Sequence, residues 1–436
     1  MYRYHVKYFL LIFFLITGST VFAQTSTTSD PTSERANSPY SRYGIGDSWD
    51  GTNTNLKGMG DISSAFENPY TINAENPASF SFLKLTTYEA GAEGDIHTLR
   101  NSNTSYGTGM ATLSYMNVGI PVGKHLGFCI GLKPLTRVFY NLADTNSRPE
   151  DTLIGKQVIH SFSGDGSVNL AYLGVAYQYK GFSVGVQAGY MFGHIDYYSR
   201  LINNDTSYSY NSTIAQSTGI GGIYWKAGLL YEGKLNKNYT LRVGGTLSMQ
   251  QTLTARNYEY WIASYNAVDT FISDTTYNAQ AAKGSIVMPM TYSFGMQLAR
   301  NDKWMVGVDY TSTQWNQFRK FGNVDSGLAS STYRVALGGE LTPDATSLRS
   351  FWSRVTYRVG LYYGTGNIYL NNTTQYNYGV TIGGSLPFHR ATDHIHFALD
   401  VGKLGTTSNG LLQDNYVKFS LGISLNDKWF IPHKYD

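Results

Sequence analysis

Apolar and polar side chains alternate strictly along many segments of this chain. In the last such segment every second residue is apolar: Val417, Phe419, Leu421 and Ile423. Residues 288–298, 355–363 and 395–401 repeat the pattern. A period of two residues indicates β-strands with one apolar and one polar face. Such strands fit either a soluble sandwich with its apolar faces inside or a membrane barrel with its apolar face outside.

The links between these segments favour the barrel. We predict strand segments at 85–98, 108–122, 125–140, 155–180, 182–200, 218–233, 239–256, 280–300, 303–322, 329–341, 351–366, 375–388, 394–408 and 415–425. Very short turns, such as Lys180-Gly181, alternate with long polar links at 201–217 and 257–279. This asymmetry is typical of outer-membrane barrels, whose spanning strands need roughly 9–11 residues. We therefore predict an all-β fold, a 14-stranded antiparallel transmembrane β-barrel over residues 85–430, followed by a C-terminal tail at 431–436.

Composition supports a membrane barrel and excludes several other classes. Aromatic residues make up 15% of the chain and charged residues only 14%, whereas soluble domains average roughly 25% charged residues. The net charge is only +3, so the composition does not indicate a basic surface for nucleic-acid binding. Cys129 is the single cysteine, so the chain has no internal disulfide and no cysteine-based zinc site.

The N-terminus has the pattern of a secretory signal peptide. Arg3 and Lys7 precede an apolar run that ends near Ile16, and Ala23 closes a small-residue cleavage site. The run is too short for a membrane-spanning helix. We predict a signal peptide over 1–23, cleavage after Ala23, export to the outer membrane of a Gram-negative bacterium, and a flexible, Ser/Thr-rich leader over 24–37.

Residues 38–84 are polar and interrupted by glycine, and two short motifs stand in them. The first is Gly58-Met59-Gly60, and the second is Asn76-Pro77-Ala78, placed shortly before the first strand. In this order the motifs resemble the N-terminal hatch of the FadL-like (OmpP1/TodX) outer-membrane transport family, and the opening and ending of the chain resemble Bacteroidetes-type members. Here Asp61 follows the first motif where that family has a further small residue.

The resemblance implies a hatch (38–84) inside the barrel lumen and a function in uptake. It implies a monomeric channel for hydrophobic small molecules of the fatty-acid or aromatic-hydrocarbon type, in contact with membrane lipid. Hatch residues that could contact such a ligand are apolar or aromatic: Phe66, Tyr70, Phe80 and Phe82. The plainer interpretation of Asn76-Pro77 is a structural turn. In this family a kink in the wall releases ligand sideways, and Gly164 and Gly166 in the fourth strand segment are the candidates here; a corner-turning bulge is the alternative.

Charged residues recur on the polar rows, which would face the lumen. The predicted network consists of Arg242, Asp309, Arg334, Glu340, Arg358, Asp400 and Lys418. Such charges need water or a polar partner, and the hatch offers Asp61, Glu67 and Glu75 as acceptors and Arg42 and Lys57 as donors. The network is either an ionic latch that opens or a static polar core that seals the barrel.

The sequence carries only weak signals of a metal site or a catalytic site. His394 and His396 share a strand face, but no further metal ligand stands near them in the sequence, and no nucleophile motif is present. We predict no catalytic residues, no metal and no cofactor. The alternative to uptake is a non-transporting barrel that serves as a subunit of a protein secretion or outer-membrane assembly machine, with envelope proteins as partners.

Overall fold

The computed structural model describes residues 38–49, 51–144, 158–203, 210–267, 270–278, 281–300, 303–388 and 392–429. The predicted signal peptide, the leader and the C-terminal tail lie outside these residues. Within the described ranges, no helix has the length and apolar character needed to cross a membrane.

The described residues form nineteen β-strands and a few short helical turns. The strands are β1 (Asp47–Ser48), β2 (Thr86–Arg100), β3 (Ser105–Val122), β4 (Leu126–Asp144), β5 (Val158–Tyr179), β6 (Phe182–Asn203), β7 (Tyr210–Lys234), β8 (Tyr239–Ser248), β9 (Gln251–Ala267), β10 (Thr270–Asn278), β11 (Ala282–Met288), β12 (Thr291–Arg300), β13 (Trp304–Thr313), β14 (Arg319–Lys320), β15 (Thr332–Leu341), β16 (Thr356–Leu370), β17 (Thr373–Pro387), β18 (His394–Gly405) and β19 (Gln413–Asp427). One α-helical turn, α1 (Thr54–Lys57), and 3-10 turns at Pro39–Arg42, Pro77–Phe82, Trp315–Gln317, Trp352–Arg354 and Ser408–Gly410 complete the list.

These strands form one closed antiparallel barrel. Strand β19 pairs with β2 over its whole length, from Gln413 opposite Arg100 to Asp427 opposite Thr86, which closes the cylinder. Strands β8 and β9 are two parts of one barrel strand, as are β10 to β12, and β13 with β14. The barrel therefore has 14 antiparallel strands, and the predicted fold class is confirmed.

The apolar rows face outward. Phe294 is 57% exposed, Val359 55% and Phe419 46%, although each belongs to a row that a sandwich would bury. Large apolar side chains with this exposure around a whole barrel require a lipid environment. The sandwich alternative is therefore excluded.

The long links predicted at 201–217 and 257–279 are mostly strand, so this part of the prediction is wrong. Strand β6 continues to Asn203, β7 begins at Tyr210, and β9 and β10 pair from Ala267 opposite Thr270 to Tyr260 opposite Asn278. A strand in water has polar residues on both faces, so its sequence resembles a loop. The sheet of β6, β7, β9 and β10 therefore extends well beyond the length that a membrane requires.

Candidate functional site: the filled lumen

The N-terminal segment, residues 38–85, lies against glycines of the inner wall. A β-carbon at Gly185 of β6 would lie 2.4 Å from the Pro77 carbonyl carbon, and one at Gly338 of β15 would lie 2.1 Å from the Met59 carbonyl oxygen. At Gly127 of β4, Gly244 of β8 and Gly360 of β16, a β-carbon would lie 1.9 to 2.2 Å from backbone atoms of the segment, and at Gly383 of β17 it would lie 2.8 Å from one. At Gly174 of β5 and Gly228 of β7 it would meet the side chains of Phe80 and Asn76. Only glycine permits a backbone to approach this closely. Because these strands surround the lumen, the segment lies inside the barrel.

The Gly58-Met59-Gly60 motif turns the chain against β15, β16 and β17. Gly60 and Asp61 both have left-handed backbone angles, with φ of 67° and 60°, a conformation that glycine adopts freely and aspartate tolerates. The Gly60 N–H donates to Thr381 Oγ1 at 2.8 Å, and Met59 is fully buried. The motif thus fits the segment to the wall, and Asp61 projects toward Arg334.

The Asn76-Pro77-Ala78 motif begins the 3-10 turn Pro77–Phe82. Asn76 Oδ1 accepts a hydrogen bond from the Ala78 N–H at 3.0 Å, as an N-cap does. Its Nδ2 donates to the carbonyl oxygens of Ser64, at 2.5 Å, and of Leu229 in β7, at 3.2 Å. Asn76 is fully buried. Its side chain therefore joins two parts of the segment to each other and to the wall.

Ion pairs join the segment to the wall on several sides. Arg334 Nη2 lies 3.0 Å from Asp61 Oδ2, and Arg242 pairs with Glu67 of the segment and, at 3.0 Å, with Glu232 of β7. Three wall residues absent from the predicted network also pair with the segment: Glu93 with Lys57, and both Lys133 and Lys226 with Glu75. These residues alternate with apolar neighbours along β2, β4 and β7, so the two-residue period that located the other lumen charges could have located them.

Two carboxyl groups of the segment have displaced pKa values. Burial by itself would raise the pKa of Glu75, but the Lys133 and Lys226 ammonium groups bring it well below its usual range. Burial raises the pKa of Glu67 to about 7, although the guanidinium of Arg242 acts to lower it. Glu75 is therefore ionised at all ordinary pH values, whereas Glu67 titrates near neutrality.

The other predicted lumen residues have different partners. Asp309 Oδ2 accepts the N–H groups of Ser63 and Ser64 at 2.6 and 2.7 Å, so it binds segment backbone. Arg358 pairs with Glu340 at 3.0 Å, both on the wall. Tyr362 Oη donates to Asp400 at 2.9 Å. The ammonium of Lys418 lies 5.1 Å from the ring centre of Tyr416, and Lys418, Asp400 and Asp61 line a cavity of about 20 Å³.

One half of the lumen wall is apolar, which the sequence analysis missed. Buried apolar side chains from β4, β5, β6, β7, β9 and β11 form one cluster with the segment, including Val138, Leu170, Met191, Ile195, Ile220, Leu253, Ile286 and, from the segment, Ile72 and Phe80. Phe66 belongs to a second cluster with Leu56, Met59 and Ile62. Phe66 and Phe80 are fully buried, whereas Tyr70 and Phe82 are half-buried. The described interior thus has an apolar side and an ionic side.

The wall is interrupted between β3 and β4. Among the described residues, their pairing runs only from Val122 opposite Leu126 to Met116 opposite Leu132. Beyond that point β3 continues to pair with β2, and β4 with β5 after a bulge between Pro134 and Thr136. The short strand β1 occupies the free edge of β4, with Ser48 opposite Thr136 and Asp47 opposite Arg137. We call this interruption, covered by β1, the β3–β4 seam.

The predicted wall kink at Gly164 and Gly166 does not coincide with the seam. Both glycines pair in register with β4 on one side and β6 on the other, opposite Tyr140 and Val138 and opposite Tyr197 and Ile195. A β-carbon at Gly164 would lie 2.4 Å from the Tyr140 ring, so this glycine makes room for an aromatic side chain. The interruption of the ladder lies between the second and third barrel strands, whereas the predicted kink lies in the fourth.

Within the described ranges, no group of three or more His, Cys, Asp or Glu residues is arranged to hold a metal ion. His396 lies between Ser385 and Ser424, with hydrogen bonds of 2.6 and 2.8 Å, and His394 stacks on it. These two histidines are therefore placed in a hydrogen-bonded part of the wall.

Comparison with known proteins gives a family and a fold. The structure is similar to that of the Pseudomonas putida toluene transporter TodX, with a TM-score of 0.57 and 16% identity over 87% of this chain and 98% of that one. The Ralstonia pickettii toluene transporter TbuX gives a TM-score of 0.56 and 15% identity, over 87% of this chain and 99% of that one. A Pseudomonas aeruginosa FadL homologue gives a TM-score of 0.55 and 13% identity, over 86% of this chain and 98% of that one.

No curated protein matches the chain. The family model of BamG matches residues 5–436, which is nearly the whole sequence. The chain therefore belongs to the BamG family, and its barrel has the fold of the FadL-like channels.

Proposed function

We propose that the protein is an outer-membrane channel for uptake of hydrophobic small molecules of the fatty-acid or aromatic-hydrocarbon type, with the N-terminal segment as its hatch. The observation that carries this proposal is the apolar half of the lumen. Its cluster is continuous from Phe80 and Ile72 in the segment to Leu253 and Ile286 in the wall. A purely ionic interior would not favour an apolar solute, whereas this wall would offer one a continuous apolar surface once the segment is displaced.

The β3–β4 seam is the proposed exit into the membrane. Strand β1 covers it through a few contacts: the pairing with β4, the Ser38 N–H donating to the Phe139 carbonyl at 2.8 Å, and the Trp49 N–H donating to the Leu135 carbonyl at 2.8 Å. Two paired residues are easier to separate than a full strand pair. Displacement of β1 would join the apolar half of the lumen to the lipid beside β3.

A reversible crosslink across the seam tests this function. In the Ser48→Cys/Thr136→Cys variant, the two cysteines occupy directly opposed positions of β1 and β4. We expect a Gram-negative host that lacks its own fatty-acid transporter to take up labelled oleate or toluene through the reduced variant. Oxidation should abolish this uptake, and a reductant should restore it.

A second crosslink serves as the control. Gln216→Cys/Glu259→Cys joins the opposed residues of β7 and β9 in the outer sheet, and its oxidation should leave uptake unchanged. No uptake by the unmodified protein would disprove the transport function. Full uptake by the completely oxidised seam variant would disprove the exit at β3–β4.

A non-transporting role in a secretion or outer-membrane assembly machine is the second candidate. The sheet of β6, β7, β9 and β10 favours it, because it continues beyond the membrane and has large exposed side chains, such as Trp261 at 46% and Tyr277 at 49%. Such a surface fits a protein partner. Crosslinking in intact cells followed by purification would distinguish the two roles: stoichiometric capture of an envelope protein through this sheet, without oleate uptake, supports the second.

The route to the membrane is part of the same proposal. Removal of residues 1–23 would leave Gln24 as the first residue of the mature chain. The mature protein would be a monomeric, non-enzymatic barrel in a Gram-negative outer membrane. Mass spectrometry of the N-terminal peptide from purified outer membranes tests the cleavage position, and an intact Met1 there would contradict it.

A further inference from the structure

Exposed cations surround the barrel at the end where its turns are short. On the described residues they lie at or beside the turns: Lys124 between β3 and β4, Lys180 between β5 and β6, Lys234 and Lys237 between β7 and β8, Arg300 and Lys303 between β12 and β13, Arg349 between β15 and β16, and Lys84 with Lys428 where β19 meets β2. In the described part of these links, the exposed acids are Asp344 and Asp427. We call this set of cations the basic rim.

Aromatic side chains lie directly beside the basic rim, on the lipid side. Tyr88 contacts Trp429 with ring centres 5.9 Å apart, and Tyr239 contacts Trp304 at 6.0 Å. Phe182 packs on Tyr231 at 4.3 Å, next to the turn that holds Lys180. Aromatic rings of this kind mark the level of the lipid headgroups. The cations lie at or beside the turns that follow these rings, and therefore at the level of the lipid phosphates or just outside it.

The link between β15 and β16 extends this pattern. It is the longest described link at this end, and it exposes Leu348 and Trp352, which is 66% exposed. The rings of Phe351 and Trp352 meet edge-on, with their centres 5.7 Å apart. Arg349 lies between Leu348 and this aromatic pair in the sequence. An exposed leucine and tryptophan beside an arginine suit the interface of a bilayer better than open water.

The distribution of these charges indicates what binds them. A folded protein partner contacts one side of a barrel, and a patch for it would gather charge on that side. On the described residues, the basic rim has cations at six of the seven links of this end, on all sides of the barrel. The surroundings that reach every turn at once are the headgroups of the adjacent membrane leaflet.

We infer that the basic rim binds anionic phospholipid headgroups of the leaflet at the short-turn end, with the neighbouring aromatic rings placed against the acyl chains. Phosphate groups with a net negative charge, as in phosphatidylglycerol or cardiolipin, fit cations that are arranged in this way. This inference is independent of the solute that the barrel transports.

The test uses the full-length protein in vesicles of phosphatidylethanolamine and phosphatidylglycerol at about 3:1. After gentle extraction, native mass spectrometry measures which lipids stay bound. We expect phosphatidylglycerol to be enriched above its share of the vesicle lipid, and high salt to reduce the enrichment because it screens exposed charge. The rim variant Lys124→Gln/Lys234→Gln/Lys303→Gln/Lys428→Gln should lose the enrichment.

A matched variant at the opposite end is the control. Arg100→Gln/Arg256→Gln/Lys283→Gln/Lys403→Gln removes the same amount of charge from parts of β2, β9, β11 and β18 that lie away from the basic rim, and it should keep the enrichment. The change in electrophoretic mobility on heating verifies that each variant is folded. Bound lipid in proportion to the vesicle composition, equal losses in both variants, or an unchanged rim variant would each overturn the inference. So would capture of a stoichiometric protein that depends on the rim while lipid enrichment does not.

Discussion

Glu75 and Lys226 form a 2.9 Å ion pair between the N-terminal segment and β7, directly before the Asn76-Pro77-Ala78 motif. The same carboxylate also pairs with Lys133 on β4, so one acid of the segment holds two strands of the apolar half of the wall. This contact stands where the apolar cluster meets the segment, so displacement of the segment from the wall would have to break it.

Replacing Glu75 with glutamine should loosen the segment. The substitution leaves two enclosed ammonium groups without their shared carboxylate, which costs about 3–5 kcal/mol for a fully buried pair. Because the side chain of Glu75 is 24% exposed, we expect a loss of about 2 kcal/mol. Leakage of a small dye from proteoliposomes should rise while the barrel stays folded.

Glu259→Gln is the control for this experiment. Glu259 accepts a hydrogen bond from Gln216 in the exposed outer sheet, so its loss should change neither leakage nor stability. Unchanged leakage in Glu75→Gln would mean that this ion pair is not a latch, and the static-core interpretation of the lumen charges would then hold.

The wall glycines predict a difference between two otherwise similar substitutions. Gly185→Ala places a methyl group 2.4 Å from the Pro77 carbonyl carbon, which forces the segment or β6 to move, whereas a β-carbon at Gly219 of β7 meets nothing within 4 Å. Overpacking of this kind lowers the free energy of unfolding by about 1–3 kcal/mol. Gly185→Ala should lower the midpoint of heat unfolding on gels and raise dye leakage, and Gly219→Ala should do neither. Equal behaviour of the two variants would contradict the close packing.

The barrel itself is predictable from the sequence because lipid-facing rows impose a period of two. Phe294 and Val359 stand in such rows, and no local contact is needed to identify them. The charges Arg242, Arg334 and Asp309 are equally visible, because a charged residue on the polar row of a barrel strand has to face the lumen.

Other features depend on contacts between distant residues, which one sequence does not reveal. Gly185 and Gly338 look like small residues on a polar row, and their purpose is visible only when Pro77 and Met59 lie on them. The β3–β4 seam depends on which strand becomes the partner of β4 near Thr136. Pro134 signals an edge or a bulge there, because it has no N–H for the ladder, but it does not show that β1 takes the place of β3. The apolar half was missed because Leu170 and Met191 lie on the lumen face of strands whose other face is also apolar.

Asn76 should tolerate neither alanine nor aspartate. Alanine removes the bond to the Ala78 N–H and both donations to the Ser64 and Leu229 carbonyl oxygens, a loss of about 2 kcal/mol. Aspartate keeps the N-cap acceptor but places a buried carboxylate against two carbonyl oxygens, so it should be the worse of the two. Urea unfolding in detergent measures the loss of stability in both variants. If aspartate behaved like the native residue, Asn76 would serve only as a turn former.

Glu67 should make the stability of the protein fall as the pH rises toward neutrality. Its pKa is about 7 in the folded protein because burial raises it from the ordinary 4.5. Between these values the folded chain retains a proton that the unfolded chain has lost, so the contribution of Glu67 to stability is fully present below about pH 4.5 and is lost as the pH rises through 7. At about 1.4 kcal/mol for each pKa unit, the decrease is on the order of 3 kcal/mol.

The Glu67→Gln variant isolates this contribution. Glutamine does not titrate, so the decrease in unfolding free energy between pH 5 and pH 8 should be smaller in the variant than in the native protein by about 2–3 kcal/mol. Urea unfolding at pH 5, 6.5 and 8 gives both slopes. Glu259→Gln in the outer sheet should keep the native slope. If Glu67→Gln kept it as well, Glu67 would be ionised throughout this range beside Arg242, and the Glu67–Arg242 pair would hold the segment equally at both ends of the range.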